Sequence, residues 1–535
     1  MGKKMLRSFA SHSIAAVFVG AALFMTSANA AVWQGGDVGD INSSANWDGD
    51  ITTTGMNFPK DSTYKLTQEA DAVIFKPWCA SRDAKYQRVN VTFDMGGHTL
   101  WATNGTTQYF GGNDYSTWVF TNGVFRNTQG LADNSVTNVI QDSGTGVGMS
   151  IIATGADTTF IASPRVQAHN RFCVINGAKA YGQELYFAGT NKGNVDALTN
   201  VISSKAELCF DKYCDVGTYD RSRNDAWFNA TLVVDDATLT ARNTAKGEIE
   251  VGYGAGCHDN MLIAQNGASV AAAKMFVCPN STNNAVSIRS GATVTVTYDV
   301  LLGGLRIQDG SSNYGKYGAK GRIEVVGEGS TLTCGRDLAI RNSTGDSANA
   351  NELFVGDGAT VTISANNDGL RLIGFGNRIV VSNGTLTANL LCPNGITHSS
   401  VVFPATNSTF RIEGAAAKFS ATKIRDFTEQ TKLSGAPIFE FAIPEGGWPS
   451  APVVIKEAFT ISDDTRIRLD ADALKAFLKA GGGTVPLIAT DSASKAITAD
   501  LTKISADLPE GCELTNKDGV ISVTAKPAGL VIFVR

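Results

Sequence analysis

Residues 351–361 read Asn-Glu-Leu-Phe-Val-Gly-Asp-Gly-Ala-Thr-Val, and residues 260–270 and 284–294 are close copies of this pattern. Each copy has an Asn seven residues before a Gly, apolar residues between the two, and then a small and a β-branched residue. The turn position recurs at Asp236, Gly267, Gly291, Gly329, Gly358, Gly384 and Gly414, a mean step of about 30 residues. Irregular repeats of this length, built from short strands, predict a solenoid in which each coil stacks on its neighbours.

Apolar residues alternate within each repeat. The residues five and three before the Gly are mostly apolar, as at Leu353 and Val355, and the alternation restarts after the Gly at Val361. Such alternation sends every second side chain to one face of a strand. A second apolar run follows in each repeat, so two or three strands per coil satisfy the pattern. The sequence therefore predicts an all-β fold, a right-handed parallel β-helix, because right-handed crossovers dominate between parallel strands.

The glycines of the repeat are predicted to be structural turns, because Gly takes a positive φ at a corner without a Cβ clash. This prediction covers Gly267, Gly291, Gly329, Gly358, Gly384 and Gly414.

The repeated Asn has two interpretations. Stacked amides could bond along the solenoid axis or to the turn backbone, which would fix the strand register. Alternatively, the row of amides could meet a ligand. The ladder is favoured, because the Asn lies on the turn side of an inward-pointing strand start.

Composition fits this fold and restricts the function. The chain has 56 Gly and only 18% charged residues, so the charged helical stretches of an α/β enzyme are missing. One short helix is predicted at residues 470–479, where glycines 481–483 end it. The net charge of −5, with no basic stripe or tail, argues against a nucleic-acid partner.

Residues 1–30 have the pattern of a secretory signal peptide. Basic residues precede an apolar run at 14–25, and Ala28-Asn29-Ala30 supplies small residues for cleavage, which we expect after Ala30. The mature chain is expected to be secreted or at the cell surface, without a transmembrane helix. Nine cysteines follow. Most are expected to be buried free thiols, and a disulfide between Cys209 and Cys214 is left open.

Four zones follow from the pattern. Residues 1–30 form the signal peptide, 31–110 an aromatic-rich N-terminal cap or first coils, and 111–430 the parallel β-helix. Residues 431–535 form a small β-rich cap domain that covers the last strand edge. Residues 189–225 interrupt the repeats and are interpreted as an insertion.

The opening Val-Trp-Gln-Gly-Gly-Asp-Val-Gly-Asp-Ile-Asn-Ser-Ser-Ala-Asn-Trp-Asp-Gly (32–49) resembles the start of bacterial autotransporter-type surface proteins. Their passenger regions are β-helices of Gly-Ala-Thr-Val-type repeats. The resemblance covers residues 32 to about 420 and implies a surface β-helix. The remaining residues are too few for the many-stranded translocator barrel, so self-secretion is not implied.

The chain has no Gly-x-Ser-x-Gly elbow, no His-Glu-x-x-His and no phosphate loop, and no cofactor is predicted. The leading hypothesis is an exported, non-catalytic solenoid, adhesin-like or structural, with extracellular polysaccharide or cell-surface components as partners. The alternative is a polysaccharide lyase or glycoside hydrolase of β-helix type. That enzyme would need two carboxylates, or a carboxylate with Lys or Arg, converging on one sheet face.

Aromatic residues near the N-terminus carry the ligand-binding prediction. Trp33 and Trp47 are flanked by Gly, Asp and Asn, so they are the better candidates for exposed rings that stack on sugars. The other interpretation is that these aromatics plug the end of the solenoid, as is expected of Trp118, which occupies an inward repeat position.

Overall fold

The computed structural model describes residues 31–58, 62–75, 89–103, 107–110, 116–127, 139–142, 150–166, 171–187, 199–218, 228–253, 256–279, 281–304, 318–342, 350–364, 369–392, 395–398, 401–406, 408–425, 432–433, 436–504 and 507–525. The signal-peptide prediction and Cys79 lie outside these residues. Within them the chain is almost entirely β-structure, which confirms the predicted fold class.

The N-terminal strands are β1 (Ala31–Val32), β2 (Val38–Asp40), β3 (Met56–Asn57), β4 (Ser62–Thr67), β5 (Ala72–Ile74), β6 (Val89–Asp94), β7 (Thr99–Ala102), β8 (Thr107–Phe110), β9 (Thr117–Asn127), β10 (Val139–Asp142), β11 (Ser150–Ile161), β12 (Ser163–Val166), β13 (Arg171–Ile175), β14 (Lys179–Phe187), β15 (Thr199–Ser203) and β16 (Glu207–Val216), with one 3₁₀ turn at Ser44–Asn46. The central strands are β17 (Thr231–Asp235), β18 (Thr238–Ala241), β19 (Glu248–Val251), β20 (Met261–Gln265), β21 (Ser269–Ala272), β22 (Lys274–Val277), β23 (Ala285–Arg289), β24 (Thr293–Val296), β25 (Val300–Leu302), β26 (Arg322–Val326), β27 (Thr331–Cys334), β28 (Leu338–Asn342), β29 (Glu352–Gly356), β30 (Thr360–Ile363), β31 (Leu370–Phe375), β32 (Arg378–Ser382) and β33 (Thr385–Cys392). The C-terminal elements are β34 (Gly395–His398), β35 (Val401–Thr406), β36 (Thr409–Glu413), β37 (Lys418–Ile424), β38 (Lys432–Leu433), β39 (Ile438–Ala442), β40 (Val453–Ile455), β41 (Phe459–Ile461), β42 (Arg466–Leu469), α1 (Ala471–Lys479), β43 (Gly483–Thr490), β44 (Ile497–Thr498), α2 (Leu501–Ile504), β45 (Cys512–Lys517) and β46 (Val520–Ala525).

The strands stack into three parallel sheets that the chain visits in turn. Sheet A contains β17, β20, β23, β26, β29, β32, β36, β39 and β42. Sheet B contains β18, β21, β24, β27, β30, β33, β37, β40 and β43. Sheet C contains β19, β22, β25, β28 and β31. Each strand pairs in parallel with the strand one coil away, so this is a parallel β-helix with three strands per coil.

The core lies between the three sheets. Leu353, Val355 and Val361 are fully buried, as are the equivalent residues of neighbouring coils. A fully buried Val or Leu side chain contributes about 1.5–3 kcal/mol relative to an exposed one. Because a coil cannot bury its own apolar edge, this stabilisation depends on the coils above and below it.

The corners between sheets A and B use left-handed backbone. Asp357 and Gly358 have φ of 52° and 83°, and Asn266 and Gly267 have 55° and 76°. Two consecutive residues with positive φ are the signature of a type I′ turn. Three more of the repeat glycines also have positive φ, namely Gly291, Gly329 and Gly414.

Gly384 departs from the expectation for this group. Its φ is not in the left-handed region, and Asn383 alone takes the positive φ, at 54°. Glycine is required there for another reason: a Cβ would lie 2.7 Å from the carbonyl oxygen of Val355. The sequence correctly predicts a corner at Gly384, but a glycine is needed there because the backbone of Val355 lies too close for a side chain.

The repeated Asn residues are buried and bonded inside the fold. Asn260 Oδ1 accepts from the backbone N–H of Ala230 at 2.9 Å, and Asn260 Nδ2 donates to Asn284 Oδ1 at 2.9 Å. Asn351 Oδ1 accepts from the N–H of Gly321 at 2.7 Å. Asn377 Nδ2 donates to the carbonyl of Ile373 at 2.8 Å. These amides join successive coils and hold the turn backbone, which is the ladder arrangement, and burial removes them from contact with a ligand.

Parallel stacking extends beyond the predicted limits of the β-helix. At the C-terminal end β39 pairs with β36, β42 with β39 and β43 with β40, all in parallel. The boundary predicted at residue 430 is therefore too early for the parallel stack. In the described residues at this end, β46 pairs antiparallel with both β43 and β45.

The segment interpreted as an insertion contains a regular coil. Residues 199–218 form β15 and β16, which pair in parallel with strands on both sides. Lys205 stands at the turn position with a positive φ of 64°. A lysine in place of the expected glycine hides this coil from a search for the repeat.

After β25, Gly303 and Gly318 lie next to each other in the stack. The N–H of Gly318 donates to the carbonyl of Gly303 at 3.0 Å. A Cβ on Gly318 would collide with the carbonyl oxygen of Cys278, so the returning chain passes directly against the preceding coil. The backbone hydrogen bond between residues 318 and 303 thus joins the two described ends of this coil.

Candidate functional site

Trp33 and Trp47 are buried, so the expectation that they are exposed is wrong. Only 2% of Trp33 and 7% of Trp47 is exposed. Their ring centroids lie 4.9 Å apart in an edge-to-face arrangement. Trp33 Nε1 donates to the carbonyl of Gly36, and Trp47 Nε1 to that of Ile41. The flanking polar residues suggested exposure, but both indoles are packed into the apolar core at the end of the solenoid.

The feature that repeats on the outside of the solenoid is a field of hydroxyl side chains on sheet B, here called the threonine face. Its two columns are Thr238, Ser269, Thr293, Thr331, Thr360, Thr385 and Lys418, and Thr240, Ala271, Thr295, Thr333, Thr362, Thr387 and Ser420. Register is continuous from β18 to β37, so each residue lies opposite its equivalent on the next coil. The intervening residues, such as Val294 and Leu332, are buried.

Most hydroxyls of the threonine face are not used by the protein. Among the described residues, Ser420 Oγ donates to Thr387 Oγ1 at 3.2 Å. No hydrogen bond within that part of the chain engages the hydroxyls of Thr295, Thr333 or Thr362. Each therefore keeps one donor and two acceptor positions for water or a partner. The outward positions of β21, β24, β27, β30 and β33 also carry no charged side chain.

The outside of sheet A has a different character. Glu352 forms ion pairs with Arg322 at 3.4 Å and with Arg378 at 3.3 Å, which are its register neighbours. Arg411 Nη1 lies 2.9 Å from Asp470 and also pairs with Glu440. Charges on this sheet satisfy one another across strands. On sheet B the outward positions from β18 to β33 carry no charge, and Lys418 of β37 is the one charged residue in the two columns of the threonine face.

A cleft of about 710 Å³ lies at the C-terminal end of the threonine face. Both columns lead into it: its lining includes Thr385, Lys418, Ser420 and Val454. The opposite wall comes from the turn at 415–417 and from residues 448–452 between β39 and β40. Trp448 is buried in this wall, where its Nε1 donates to the carbonyl of Gly414 at 3.0 Å. The two columns of the threonine face therefore run into the cleft, and its far wall marks their C-terminal end.

A polar cluster bounds the threonine face at its N-terminal end. The guanidinium of Arg242 lies 3.9 Å from the ring centroid of Tyr181 and 3.6 Å from Asp211 Oδ1. Tyr181 donates its hydroxyl to Asp211. Burial, together with this hydrogen bond, raises the pKa of Tyr181. The ring is covered by Arg242 and is therefore not a platform for a sugar.

Carboxylates converge on the outside of sheet C. Glu248 is 2.8 Å from Lys274 Nζ, and Asp215 lies in register opposite Glu250. Asp215 and Glu250 are 0% and 3% exposed, whereas the side chains of Lys274 and Glu248 keep 10% and 18% exposure, so half of this carboxylate–lysine cluster is buried. The described residues contain no group of three or more His, Cys, Asp or Glu side chains placed to hold a metal ion.

The cysteines of the described region are all free thiols. Cys209 and Cys214 are five residues apart on the extended strand β16, which places them too far apart for a disulfide. Burial raises the pKa of Cys278 to about 11 and that of Cys334 to about 12.

Sequence reasoning did not identify the threonine face as a candidate site. The signal was present as Thr-x-Thr after the corner at residues 293–295, 331–333, 360–362 and 385–387. In the part of the chain that the structure describes, no helix has the length and apolarity to cross a bilayer. No protein-family model matches this sequence, and no curated protein or solved structure matches it either.

Proposed function

We propose that this chain is an exported, non-catalytic β-solenoid that attaches to an extracellular or cell-surface partner through its threonine face. One observation carries the proposal: the two outward columns run in unbroken register from β18 to β37, and their central hydroxyls make no hydrogen bond within the described residues. A rigid array of identical groups suits adhesion, because many weak contacts form together without ordering a flexible loop.

Export is supported by the signal-peptide pattern of residues 1–30 and by the autotransporter-like opening at 32–49. External protease should remove the protein from intact producing cells if it is held at their surface. Its recovery only in the growth medium would favour a secreted form. Its restriction to a protease-protected internal compartment would refute the proposal.

The role of the threonine face is tested by charge. The double variant Thr333→Lys, Thr362→Lys places two cations at the centre of the face. The amount of protein that stays attached to the surface of the producing cells, called here the natural surface, should then fall at least tenfold. Thr231→Lys is the matched control, because Thr231 is an outward strand residue on sheet A between Thr199 and Met261. Equal retention of all three proteins would show that the threonine face is not the attachment surface.

A polysaccharide lyase or glycoside hydrolase is the second candidate, and it would have to use the carboxylate–lysine cluster of sheet C. An acid–base pair of this kind is what such enzymes place on an exposed sheet. Here Asp215 and Glu250 are buried, which favours a structural role for the cluster. Release of reducing ends or unsaturated products from polysaccharides, abolished by Lys274→Met and unaffected by Thr333→Lys, would establish the enzyme instead.

A further inference from the structure

The threonine face has a fixed spacing in two directions. Neighbouring coils are about 4.8 Å apart, and the two outward residues of one strand are about 6.6 Å apart along it. Every coil from β24 to β33 presents the same Thr pair at this interval. A partner that repeats at the coil spacing therefore meets the same contacts again on each coil. The length that one pyranose unit adds to an extended β-1,4-linked chain is close to this spacing.

The chemistry of the face also selects its partner. Each Thr offers a hydroxyl and a methyl group side by side, and a pyranose ring likewise presents hydroxyls at its rim and C–H groups on its faces. No charged side chain lies at the outward positions of β21 to β33 to pair with an anionic sugar. A charged polymer would lose water at this surface without gaining a counter-charge. From β18 to β33 the face is therefore complementary to an uncharged polymer, and its one cation, Lys418, lies at the cleft end.

Length and direction follow from the stack. The seven strands from β18 to β37 are separated by six intervals, which gives a face of about 29 Å. This length accommodates about six or seven extended sugar units. At one end the columns enter the cleft of about 710 Å³, which has the size of a small-molecule site. At the other end the ion pair of Lys179 with Glu207, at 3.6 Å, replaces the hydroxyl column.

We infer that the threonine face binds one extended, uncharged, β-linked glycan chain that lies along the solenoid axis with one sugar over each coil and its terminal unit in the cleft beside Ser420. This inference rests on the proposed attachment function and names the partner class. It replaces the tryptophan site considered from the sequence, because no exposed aromatic platform is needed when methyl groups supply the apolar contacts.

The test uses soluble β-1,4-linked oligomers of glucose and of N-acetylglucosamine, titrated calorimetrically into the full mature chain. Affinity should rise with each added sugar and stop rising at about six or seven units, when the face is filled. An α-1,4-linked glucose oligomer of equal length curves away from the axis and should bind at least tenfold more weakly. Absence of binding by both β-linked series, or equal binding of α- and β-linked oligomers, overturns the inference.

Valine substitutions locate the site. Thr295→Val, Thr333→Val and Thr362→Val remove a hydroxyl but keep a β-branched side chain, so the strands should remain folded. Each should weaken binding of the longest bound oligomer roughly two- to tenfold, the effect of one lost hydrogen bond. Thr409→Val is the control, since Thr409 is an outward residue of sheet A in register with Arg378 and Ile438. Equal affinity of the sheet B variants and the control would overturn the assignment.

The two proposals fail differently. If Thr333→Lys with Thr362→Lys abolishes attachment to the natural surface while no oligomer binds, the glycan inference is overturned and the attachment function stands. Binding to crystalline solids alone, such as crystalline cellulose or ice, would identify a flat crystal surface as the partner and also overturn the single-chain inference. If the double lysine variant attaches normally, both proposals fall.

Discussion

Replacing Asn351 by Ala should destabilise the solenoid by about 3 kcal/mol, because the amide of Asn351 serves two coils at once. Its side chain is completely buried. Oδ1 accepts from the N–H of Gly321 at 2.7 Å, and Nδ2 donates to the carbonyl of Gly318 at 3.1 Å and to that of Arg341.

The magnitude follows from what the truncation leaves behind. The N–H of Gly321 becomes a buried donor without a partner, which costs about 1–3 kcal/mol. The small cavity left by the missing amide adds about 1 kcal/mol. The carbonyls lose a donor, but each oxygen has a second lone pair, so their contribution is smaller.

Urea unfolding of the purified chain gives the free-energy difference, and limited proteolysis locates it. Since coils contact only their neighbours, new cleavage should appear close to residues 318–351. Asn90→Ala is the control, because Asn90 is exposed on β6, and its effect should stay within about 0.5 kcal/mol. A loss below about 1 kcal/mol for Asn351→Ala, or cleavage spread over the whole chain, would refute the account of the Asn ladder.

Four further outcomes are expected. Gly358→Val should destabilise the chain by about 1–3 kcal/mol and cause protease nicking near residue 358. The cost comes from backbone strain at φ 83° alone, because a new Cβ would meet no atom closer than 3.5 Å, an ordinary contact distance. An unchanged melting curve and protease pattern would refute the corner assignment. Gly384→Ala should also destabilise, by about 1–3 kcal/mol in urea unfolding, although its φ is not left-handed, because the Cβ would meet the carbonyl of Val355. The thiols of Cys278 and Cys334 should not react with a disulfide reagent at pH 8 until the chain unfolds, because both are buried and their raised pKa keeps them protonated. Rapid labelling of these cysteines in the folded chain, mapped by mass spectrometry, would contradict this. Asp470→Ala should cost about 1 kcal/mol at pH 7 through loss of the cap of α1. Hydrogen bonds from the N–H of Ala473 and from Arg411 hold the pKa of Asp470 low, so the difference from the native chain in urea titrations should begin to shrink near pH ~3.9 and be lost only as pH falls through the lowered pKa.

The parallel stack could be predicted because its constraints act on single residues at fixed intervals. A buried amide before each coil, a left-handed residue at each corner and alternating apolar positions all leave a sequence trace, as in residues 351–361. Helix α1 was equally visible, since Asp470 caps it and glycines follow it. Lys205 shows the limit of this approach: a lysine occupies the same left-handed corner, and the coil behind it was interpreted as an insertion.

The candidate site was harder to predict, because its signal depends on register between coils. Thr293 and Thr331 are 38 residues apart in sequence but adjacent in the sheet. Thr is also favoured on any solvent-facing strand, so a single Thr-x-Thr says little about function. Trp33 and Trp47 show the converse error, because their polar sequence neighbours form a turn around two buried rings.

The hydrogen bond that joins Gly318 to Gly303 makes this coil a natural splice point. The described backbone on both sides of this segment is held by the stack itself, because Gly303 and Gly318 are bonded to each other and Gly318 lies against Cys278. Doubling the length of the intervening chain would cost only about 0.6 kcal/mol in closure entropy. A flexible peptide inserted between residues 304 and 318 should therefore leave the urea midpoint of the solenoid almost unchanged.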